Sequence, residues 1–413
     1  MLLTMPTYGG TLGAVRCLGR LGVPLVVAGD GLLAAARWSR HVGRFVRCPP
    51  AHRTERYLEW LLEFGRREPG HVLYPTSDDL AWLFAANAPE LEKHFFLYQP
   101  PVETVVRLLD KRSLYAACEA VGIATVPSWF PADEAEVRAR ASEMAFPLLI
   151  KARTQVSRVH QTKGTVVSSS AELLEHYRAF VAHDRYRPEI ERHFGDATRP
   201  FLQRFMPRAS QGVWSVTGFV DRSGELFAAR CAVKVMQRTL PVGLGLCFEA
   251  RELPASLADA AKRLCRSVGY FGVFEIEFLH EDGRFMAIDF NPRFYGQMGF
   301  EAPRGLPQAA FAWLAASGQH RELRRAVFAA AAPQDGTATA YAHHFVFELL
   351  LLARTLGRRM PAAERGLWKD WYARHRATLV DASADPDDRL PGLVHSLAEL
   401  SSGVRALSRA LRG

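Results

Sequence analysis

The segment "FEIEFLHEDGRFMAIDFNPRFYG", residues 274–296, contains two strand-like runs that each carry an acid. Alternating apolar side chains flank the turn "HEDGR", so the segment is predicted to form a β-hairpin. Glu277 and Asp289 then lie on the same face of neighbouring strands. Glu275 shares the parity of Glu277, and parity alone does not choose between these two acids.

The acids of this hairpin predict a metal site. Two carboxylates that close repel each other unless a cation lies between them, and Mg²⁺ takes oxygen ligands and bridges to substrate phosphates. Asn291 adds a neutral oxygen on the same face as Asp289, and Arg293 can hold a phosphate or carboxylate. We therefore expect Glu277, Asp289 and Asn291 to bind magnesium beside Arg293. The alternative is a solvated sheet face that carries acids.

Two earlier segments carry the polar residues that a nucleotide needs. "FPLLIKA" (146–152) is a predicted strand that ends at Lys151, and a polar loop leads from it to the returning strand "TVVSS". A lysine in an apolar strand is costly to bury unless it meets an anion, which favours a ligand over a solvated edge. "PFLQRFMP" (200–207) is a second strand, whose end can pair with adenine while Phe205 and Met206 cover the ring. A plain core strand is the alternative.

A further hairpin lies between these segments and the acid pair. Residues 212–245, "GVWSVTGFVDRSGELFAARCAVKVMQRTLPVGLG", alternate around the turn Asp221–Gly224. This pattern predicts two antiparallel strands, with Lys234 and Arg238 toward the far end of the second.

The first hundred residues alternate between apolar runs and helical spacing, which predicts a parallel α/β sheet. Gly9, Gly10 and Gly13 are reminiscent of a dinucleotide site with Asp30 as the ribose ligand, but their spacing is not G-x-G-x-x-G. We therefore expect these glycines to serve tight local geometry.

A pair of acids, Asp78 and Asp79, follows the strand "HVLYP". Open α/β sheets place ligand contacts at this edge, and N-capping of the next helix is the alternative role.

Bulk properties exclude several classes of protein. With 413 residues, of which 48% are hydrophobic, the chain predicts two or three domains. Six scattered cysteines without a C-x-x-C pair argue against a zinc site or a disulfide framework. The net charge of +9 is spread along the chain rather than gathered in a basic stripe, so we expect no nucleic-acid partner. The start lacks a signal-peptide pattern and no apolar run spans a membrane, which predicts a cytoplasmic protein.

The order of the segments resembles the ATP-grasp superfamily. "DKRSLYAACEAVGIATVP", "FPLLIKA", "FLQRFMP" and the D-x-N-P-R hairpin occur at roughly its spacing, and the resemblance covers residue 1 to about 315. The chain is most similar to carboxylate–amine ligases related to D-aspartate ligase and, in the hairpin, to biotin carboxylase. The implied fold class is α/β: a parallel pre-ATP-grasp domain (1–107), a two-subdomain clasp (108–315, lid about 125–202) and a helical C-terminal region (316–413) for packing or oligomerisation.

The resemblance also implies roles for individual residues. Lys111, Lys151 and the lid-loop Lys163 contact the phosphates of the nucleotide, and Arg293 steadies the reacting phosphate. The lid loop keeps only Gly164 of the usual glycines, so Lys163, Ser157 or Arg158 replace backbone contacts there. The remaining assignments are adenine for Gln203, Arg204, Phe205 and Met206, catalysis for Lys234 and Arg238, and metal for Glu277, Asp289 and Asn291.

These features predict an ATP-dependent ligase that joins a small-molecule carboxylate to an amine through an acyl phosphate, with amino acids as candidates for both substrates. ATP and Mg²⁺, with Mn²⁺ as a substitute, are the implied cofactors, and the chain can form a homodimer. An ATP-binding regulatory or scaffold protein with little turnover is the alternative. A dinucleotide oxidoreductase explains nothing after residue 110. His343 and His344 are expected to be structural.

Overall fold

The computed structural model describes the whole chain except residues 157–163, 184–187, 208–211, 239–242, 333–337, 358–359 and 411–413. Its described strands form three sheets. The first sheet is entirely parallel, in the order β3-β2-β1-β4-β5, as the sequence predicts. Its strands are β1 (Leu2–Leu3), β2 (Val26–Gly29), β3 (Arg44–Arg47), β4 (His71–Leu73) and β5 (Phe95–Leu97).

Five helices accompany this sheet: α1 (Gly9–Arg20), α2 (Thr54–Arg67), α3 (Asp78–Ala86), α4 (Ala88–Leu91) and α5 (Val102–Leu109). Ser77 caps α3 by accepting a hydrogen bond from the Leu80 N–H. The alternative role given to Asp78 and Asp79, capping of this helix, is therefore filled by the hydroxyl of Ser77. Asp78 is left in the first turn, where its carboxylate points to a different partner.

The second sheet is small and antiparallel, in the order β6-β9-β7-β8. Strands β7 and β8 form the hairpin predicted around Lys151. The elements of this subdomain are β6 (Ser128–Trp129), β7 (Leu148–Ala152), β8 (Thr165–Val167), β9 (Pro200–Arg204), α6 (Lys111–Ala120), α7 (Glu134–Arg140), α8 (Ser170–His183) and α9 (Pro188–Phe194). Helices α7 and α8 pack their apolar faces on one side of it.

The third sheet has seven strands in the order β14-β13-β10-β11-β12-β15-β16. Both predicted hairpins are present: β10 pairs with β11, and β13 pairs with β14. Asp282 and Gly283, at the tip of the second hairpin, both have positive φ, as a tight two-residue turn requires. The strands are β10 (Val213–Val220), β11 (Phe227–Gln237), β12 (Gly245–Arg251), β13 (Gly272–Glu281), β14 (Arg284–Asn291), β15 (Ala340–Ala342) and β16 (Leu379–Asp381).

The C-terminal region is mostly helical, as predicted, but it also contributes two strands. β15 pairs with β12, and β16 extends the sheet beyond β15. The short run "AYA" carries no alternation that identifies it as a strand, and its pairing with β12 decides its conformation. The helices that remain are α10 (Ala255–Val268), α11 (Gln308–Ala316), α12 (His320–Ala331), α13 (His344–Leu356), α14 (Ala362–His375) and α15 (Leu390–Ala410). Among the described helices, none is long and apolar enough to cross a bilayer.

A buried ion pair fixes the C-terminal region to the first domain. The Arg16 Nε lies 3.0 Å from Asp388 Oδ2, and its guanidinium also donates to the Asp388 and Ser383 carbonyls. Asp388 accepts two further hydrogen bonds, from the Ser39 hydroxyl and the Arg40 N–H. Because α15 begins two residues later, this network sets where that helix lies.

Candidate active site

The acid pair lies where the hairpin prediction puts it. In the ladder between β13 and β14, Glu277 is directly opposite Asp289, and Glu275 is opposite Asn291. The two carboxylates of the first pair are each neutralised by a lysine. Lys234 Nζ lies 2.9 Å from Glu277 Oε1, and Lys111 Nζ lies 2.5 Å from Asp289 Oδ1.

The lysine partners change the electrostatic argument for a metal. Burial lowers the pKa of Lys234, but the charge of Glu277 and its hydrogen bond outweigh burial, so the pKa lies above its usual value. Lys234 is therefore cationic at neutral pH. Because lysines already relieve the repulsion between the acids, that repulsion alone does not require Mg²⁺.

Glu275 has a different environment from Glu277. Its carboxyl accepts hydrogen bonds from Ser215, Gln297 and Asn291, and only 5% of the residue is exposed. Burial raises the pKa of Glu275 to about 7, and the charge of Glu277 acts in the same direction. Glu275 is thus a buried hydrogen-bond acceptor that orients its neighbours.

Asn291 links this buried carboxyl to Arg293. The Asn291 Nδ2 donates to Glu275 Oε2 at 2.9 Å, while its Oδ1 accepts from the Arg293 guanidinium at 2.7 Å. Arg293 also donates to Asp78 Oδ1 at 2.7 Å, which joins the hairpin to the first turn of α3. The Asn291 oxygen predicted to bind metal is therefore engaged by Arg293 in this structure.

A helix cap joins the two segments that carry Lys111 and Lys151, the lysines predicted to bind phosphate. Asp110 caps α6 by accepting from the N–H groups of Arg112 and Ser113, and its carboxylate also receives two hydrogen bonds from Arg153, each 2.9 Å long. The Lys111 N–H donates to the Arg153 carbonyl at 3.0 Å. These bonds tie the start of α6 to the end of β7, which carries Lys151.

In the predicted adenine segment at the end of β9, several polar groups already have hydrogen-bond partners within the protein. The Gln203 side chain turns inward and donates to the Tyr115 and Ser128 hydroxyls. The N–H groups of Arg204 and Phe205 donate to the carbonyls of Pro127 and Pro147. Met206 follows them and lines the same cavity. Any adenine contact of this segment therefore falls to its remaining backbone groups rather than to the Gln203 amide.

The glycines of α1 serve close packing. A Cβ on Gly10 would lie 2.4 Å from the Tyr295 carbonyl oxygen, and one on Gly13 would lie 2.6 Å from the Gly299 nitrogen. The helix thus packs directly on the chain that follows the D-x-N-P-R motif. This contact explains the glycines without a dinucleotide.

One cavity of about 580 Å³ unites these groups. It also receives side chains from the C-terminal region that sequence reasoning did not assign to a site, namely His343, His395 and Glu399. Arg238 lies here, paired with Glu399, while His344 instead stacks on Tyr372. Lys163, Ser157 and Arg158 lie outside the described residues. The predicted site residues that line the cavity are Lys111, Lys151, Gln203, Arg204, Phe205, Met206, Lys234, Arg238, Glu277, Asp289, Asn291 and Arg293.

The donor set fits magnesium only with help from a substrate. In the described part of the chain, no group of three His, Cys, Asp or Glu side chains could hold a metal ion. Glu277 and Asp289 provide two carboxylates, and Mg²⁺ is commonly bound by one or two carboxylates together with substrate phosphates and water. The residues present therefore fit a magnesium ion that arrives with a nucleotide.

Comparison with known proteins identifies the fold. No protein-family model matches the chain. The biotin carboxylase of Pseudomonas aeruginosa is 29% identical over 219 residues, which is 50% of this chain and 45% of that protein. The chain thus spans less than half the length of this curated relative.

Two solved structures share the architecture at low identity. The biotin carboxylase domain dimer of the Hydrogenobacter thermophilus 2-oxoglutarate carboxylase, in complex with MgADP, ADP and bicarbonate, aligns with a TM-score of 0.60 and 17% identity, over 77% of this chain and 69% of that chain. The L-amino acid ligase of Bacillus licheniformis aligns with a TM-score of 0.55 and 14% identity, over 76% and 73%. The predicted fold is confirmed.

Proposed function

We propose that this chain, which has the ATP-grasp fold, is an ATP-dependent ligase that joins a carboxylate to an amine and releases ADP and phosphate. The observation that carries the proposal is that four cationic side chains from separate segments and two facing carboxylates line one cavity, among other residues. Lys111, Lys151, Lys234 and Arg293 supply the positive charge that a triphosphate and a transferred phosphoryl group need. The neighbouring structure with bound MgADP and bicarbonate supports the same reading.

In this proposal the reaction has two steps. A carboxylate oxygen of the acid attacks the γ-phosphorus, the bond between that phosphorus and the bridging oxygen breaks, and ADP leaves. The amine nitrogen then attacks the acyl carbon, the bond to phosphate breaks, and the amine releases a proton to solvent. No protein nucleophile is needed, since charge neutralisation and in-line positioning supply most of the rate.

Each site residue has a role in this scheme. Lys111 and Lys151 hold the nucleotide phosphates, and residues 203–206 enclose the adenine. Glu277 and Asp289 would hold Mg²⁺, and Asn291 would join them through the second lone pair of the oxygen that also accepts from Arg293. The ion would neutralise the terminal phosphates. Lys111 and Lys234, which pair with Asp289 and Glu277 in the structure, would turn their ammonium groups to the phosphates when the ion is bound. Arg293, aligned by Asp78 and Asn291, steadies the group in transfer.

The proposal is tested by ADP release from purified protein, supplied with ATP, magnesium and pairs of small acids and amines. A ligase releases ADP over many turnovers only when both members of a productive pair are present. The competing function, an ATP-binding regulatory or scaffold protein, predicts ATP binding without ADP release for every pair.

A cytoplasmic location is an expectation from the sequence alone.

Lys151→Ala should weaken ATP binding about 10–100-fold, the loss of one charge-assisted contact of about 1.5–3 kcal/mol. The Lys151 ammonium lies 5.8 Å from the centre of the Phe201 ring, at the end of β7. Lys262→Ala is a matched control, because Lys262 lies 4.9 Å over the Phe227 ring and does not line the cavity. Titration calorimetry should show the loss for Lys151→Ala alone. Equal affinities for both variants would remove Lys151 from the nucleotide site.

We also propose that a second copy of the chain covers the outer face of α15. Its leucines recur at alternating spacings of three and four, the pattern of self-associating helices, and Val404, Leu407 and Leu411 continue it in the sequence. The exposed leucines are Leu390, Leu393, Leu397 and Leu400, at 46–62%. Sedimentation should give a dimer for the native chain and a monomer for Leu397→Glu, whereas Leu21→Glu, at another exposed leucine, should stay dimeric. A monomeric native chain would refute this interface.

A further inference from the structure

One end of the cavity is built by residues outside the nucleotide-binding segments. We name it the C-terminal subsite and define it by Arg238, Glu399, His343 and His395, all of which line the cavity. Arg238 directly follows β11, His343 directly precedes α13, and the other two lie on α15. Three elements distant in sequence thus bring two opposite charges and two imidazoles to one place.

The subsite has a firm support. The buried pair of Arg16 and Asp388 holds the chain just before α15 against the first domain. The His343 N–H donates to the Leu246 carbonyl at 3.2 Å, which fixes that residue beside β12. The backbone that carries three of the four side chains is therefore held by contacts that do not use those side chains.

The two charges of the subsite pair with each other. Arg238 donates to Glu399 through both terminal nitrogens, at 3.0 and 2.5 Å, across 161 residues of sequence. The Arg238 side chain is 46% exposed, and that of Glu399 is 17% exposed. Such a partly exposed pair contributes little to stability, because water competes for both ions. A ligand whose charges replace Arg238 and Glu399 as partners of each other therefore breaks this pair at a small cost in free energy.

The imidazoles leave hydrogen-bonding capacity unused. Among the described residues, neither His343 Nδ1 nor His395 Nε2 has a hydrogen-bond partner, although both atoms are buried. The two rings lie 5.5 Å apart, centre to centre. Burial lowers the pKa of His343 to about 4, so the ring is neutral at physiological pH. Buried polar atoms without partners are rare in folded proteins and point to a missing polar ligand.

We propose that the C-terminal subsite binds the amine substrate as the zwitterion of an amino acid. The substrate carboxylate takes the place of Glu399 on Arg238, and the substrate ammonium takes the place of Arg238 on Glu399. The ammonium loses one proton to solvent before its nitrogen attacks the acyl carbon, and the second proton leaves after the attack. The neutral imidazoles provide polar contacts for the same molecule. This inference rests on the proposed ligase function and specifies its amine.

Charge balance selects this class of ligand. A zwitterion leaves both Arg238 and Glu399 paired, whereas a simple amine lacks a partner for Arg238 and a simple acid lacks one for Glu399. Position agrees with the role, since Arg238 follows Lys234 by four residues, just past the irregular end of β11, and both line the same cavity. A small substrate fits between the ion pair and the end of the cavity where phosphoryl transfer is proposed.

The test exchanges the two charges. The double variant Arg238→Glu with Glu399→Arg keeps an ion pair between β11 and α15 but reverses it. Lys93→Glu with Glu90→Lys reverses an exposed pair far from the cavity and serves as the control. Each protein is assayed for ADP release with ATP, a productive acid, and either alanine or glycine, or the matched amines ethylamine and methylamine. Hydroxamate formation from hydroxylamine measures activation of the acid without the amine subsite.

The expected result is at least a tenfold higher KM for the amino acid in the reversed variant, with unchanged thermal midpoint and KM for ATP. Alanine and glycine should outperform their matched amines at least tenfold in the native chain. An unchanged KM for the amino acid in the reversed variant, or amines that equal amino acids, would overturn the inference while hydroxamate formation still supports the ligase. Absence of both hydroxamate and ADP for every acid tested would overturn the ligase function and the inference with it.

Discussion

Replacing Asp289 by Asn should lower kcat about 10³-fold while the thermal midpoint of the protein changes little. The substitution keeps the volume of the side chain and removes the negative charge that faces Glu277 across β13 and β14. Asp289 also pairs with Lys111 at 2.5 Å, so under the proposed function its charge would position the lysine assigned to the phosphates as well as the metal ion. Steady-state ADP release with a productive substrate pair measures the loss.

Two further variants separate this role from general damage to the hairpin. Glu277→Gln should cause a loss of similar size, because the two carboxylates act on the same ion. Glu281→Gln changes a carboxylate to an amide on the same hairpin, beside the turn and outside the cavity, and should leave kcat within about twofold. Equal losses of kcat in all three variants would mean that the substitutions disturb the fold of the hairpin. Such a result would contradict the assignment of Glu277 and Asp289 to a metal ion.

The second large effect is expected at Arg293. Arg293→Lys should lower kcat about 10²-fold and change the Kd for ATP less than about threefold, since lysine keeps the charge but not the planar fork. In the structure that fork contacts Asp78 and Asn291 at 2.7 Å each. Steady-state assays of ADP release measure kcat, and titration of the protein with ATP measures the Kd.

A variant of its partner tests whether Arg293 acts on the substrate or only joins two domains. Asp78→Asn breaks the ion pair between α3 and the hairpin but leaves the guanidinium in the cavity. If Arg293 steadies the transferred group, Asp78→Asn should cost less than about tenfold in kcat. A loss as large as that of Arg293→Lys would assign Arg293 a purely structural role.

Much of the hairpin site could be predicted because its information is local. Alternation along β13 and β14 indicates which side chains of each strand share a face. The two-residue turn alone would set Glu277 opposite Ile288, and a β-bulge between Glu277 and Phe278 shifts the ladder so that Glu277 lies opposite Asp289. The same reasoning does not distinguish Glu275 from Glu277, because residues two apart in a strand lie on the same face. Their environments decide the difference: Glu275 is enclosed by hydrogen-bond donors, while Glu277 meets Lys234.

The remaining parts of the site depend on contacts between distant segments. Asp110 is readable as a helix cap, but its pairing with Arg153, 43 residues later, is not. The location of α15 rests on Arg16 and Asp388, which are 372 residues apart. Periodicity reports the buried face of a helix and says nothing about the surface that covers it. Glu399 and His395 could therefore not be assigned to the cavity from the sequence.

The central claim is activation of a carboxylate by phosphorylation, and the path of its oxygen atoms tests this claim most directly. The productive acid is labelled with oxygen-18 in its carboxylate, and the phosphate released with the amine present is analysed by mass spectrometry. An acyl phosphate predicts ADP and phosphate in equal amounts, with one labelled oxygen in each phosphate formed from fully labelled acid. Unlabelled phosphate, or the formation of AMP and pyrophosphate, would contradict the account and the roles given to Asn291 and Arg293.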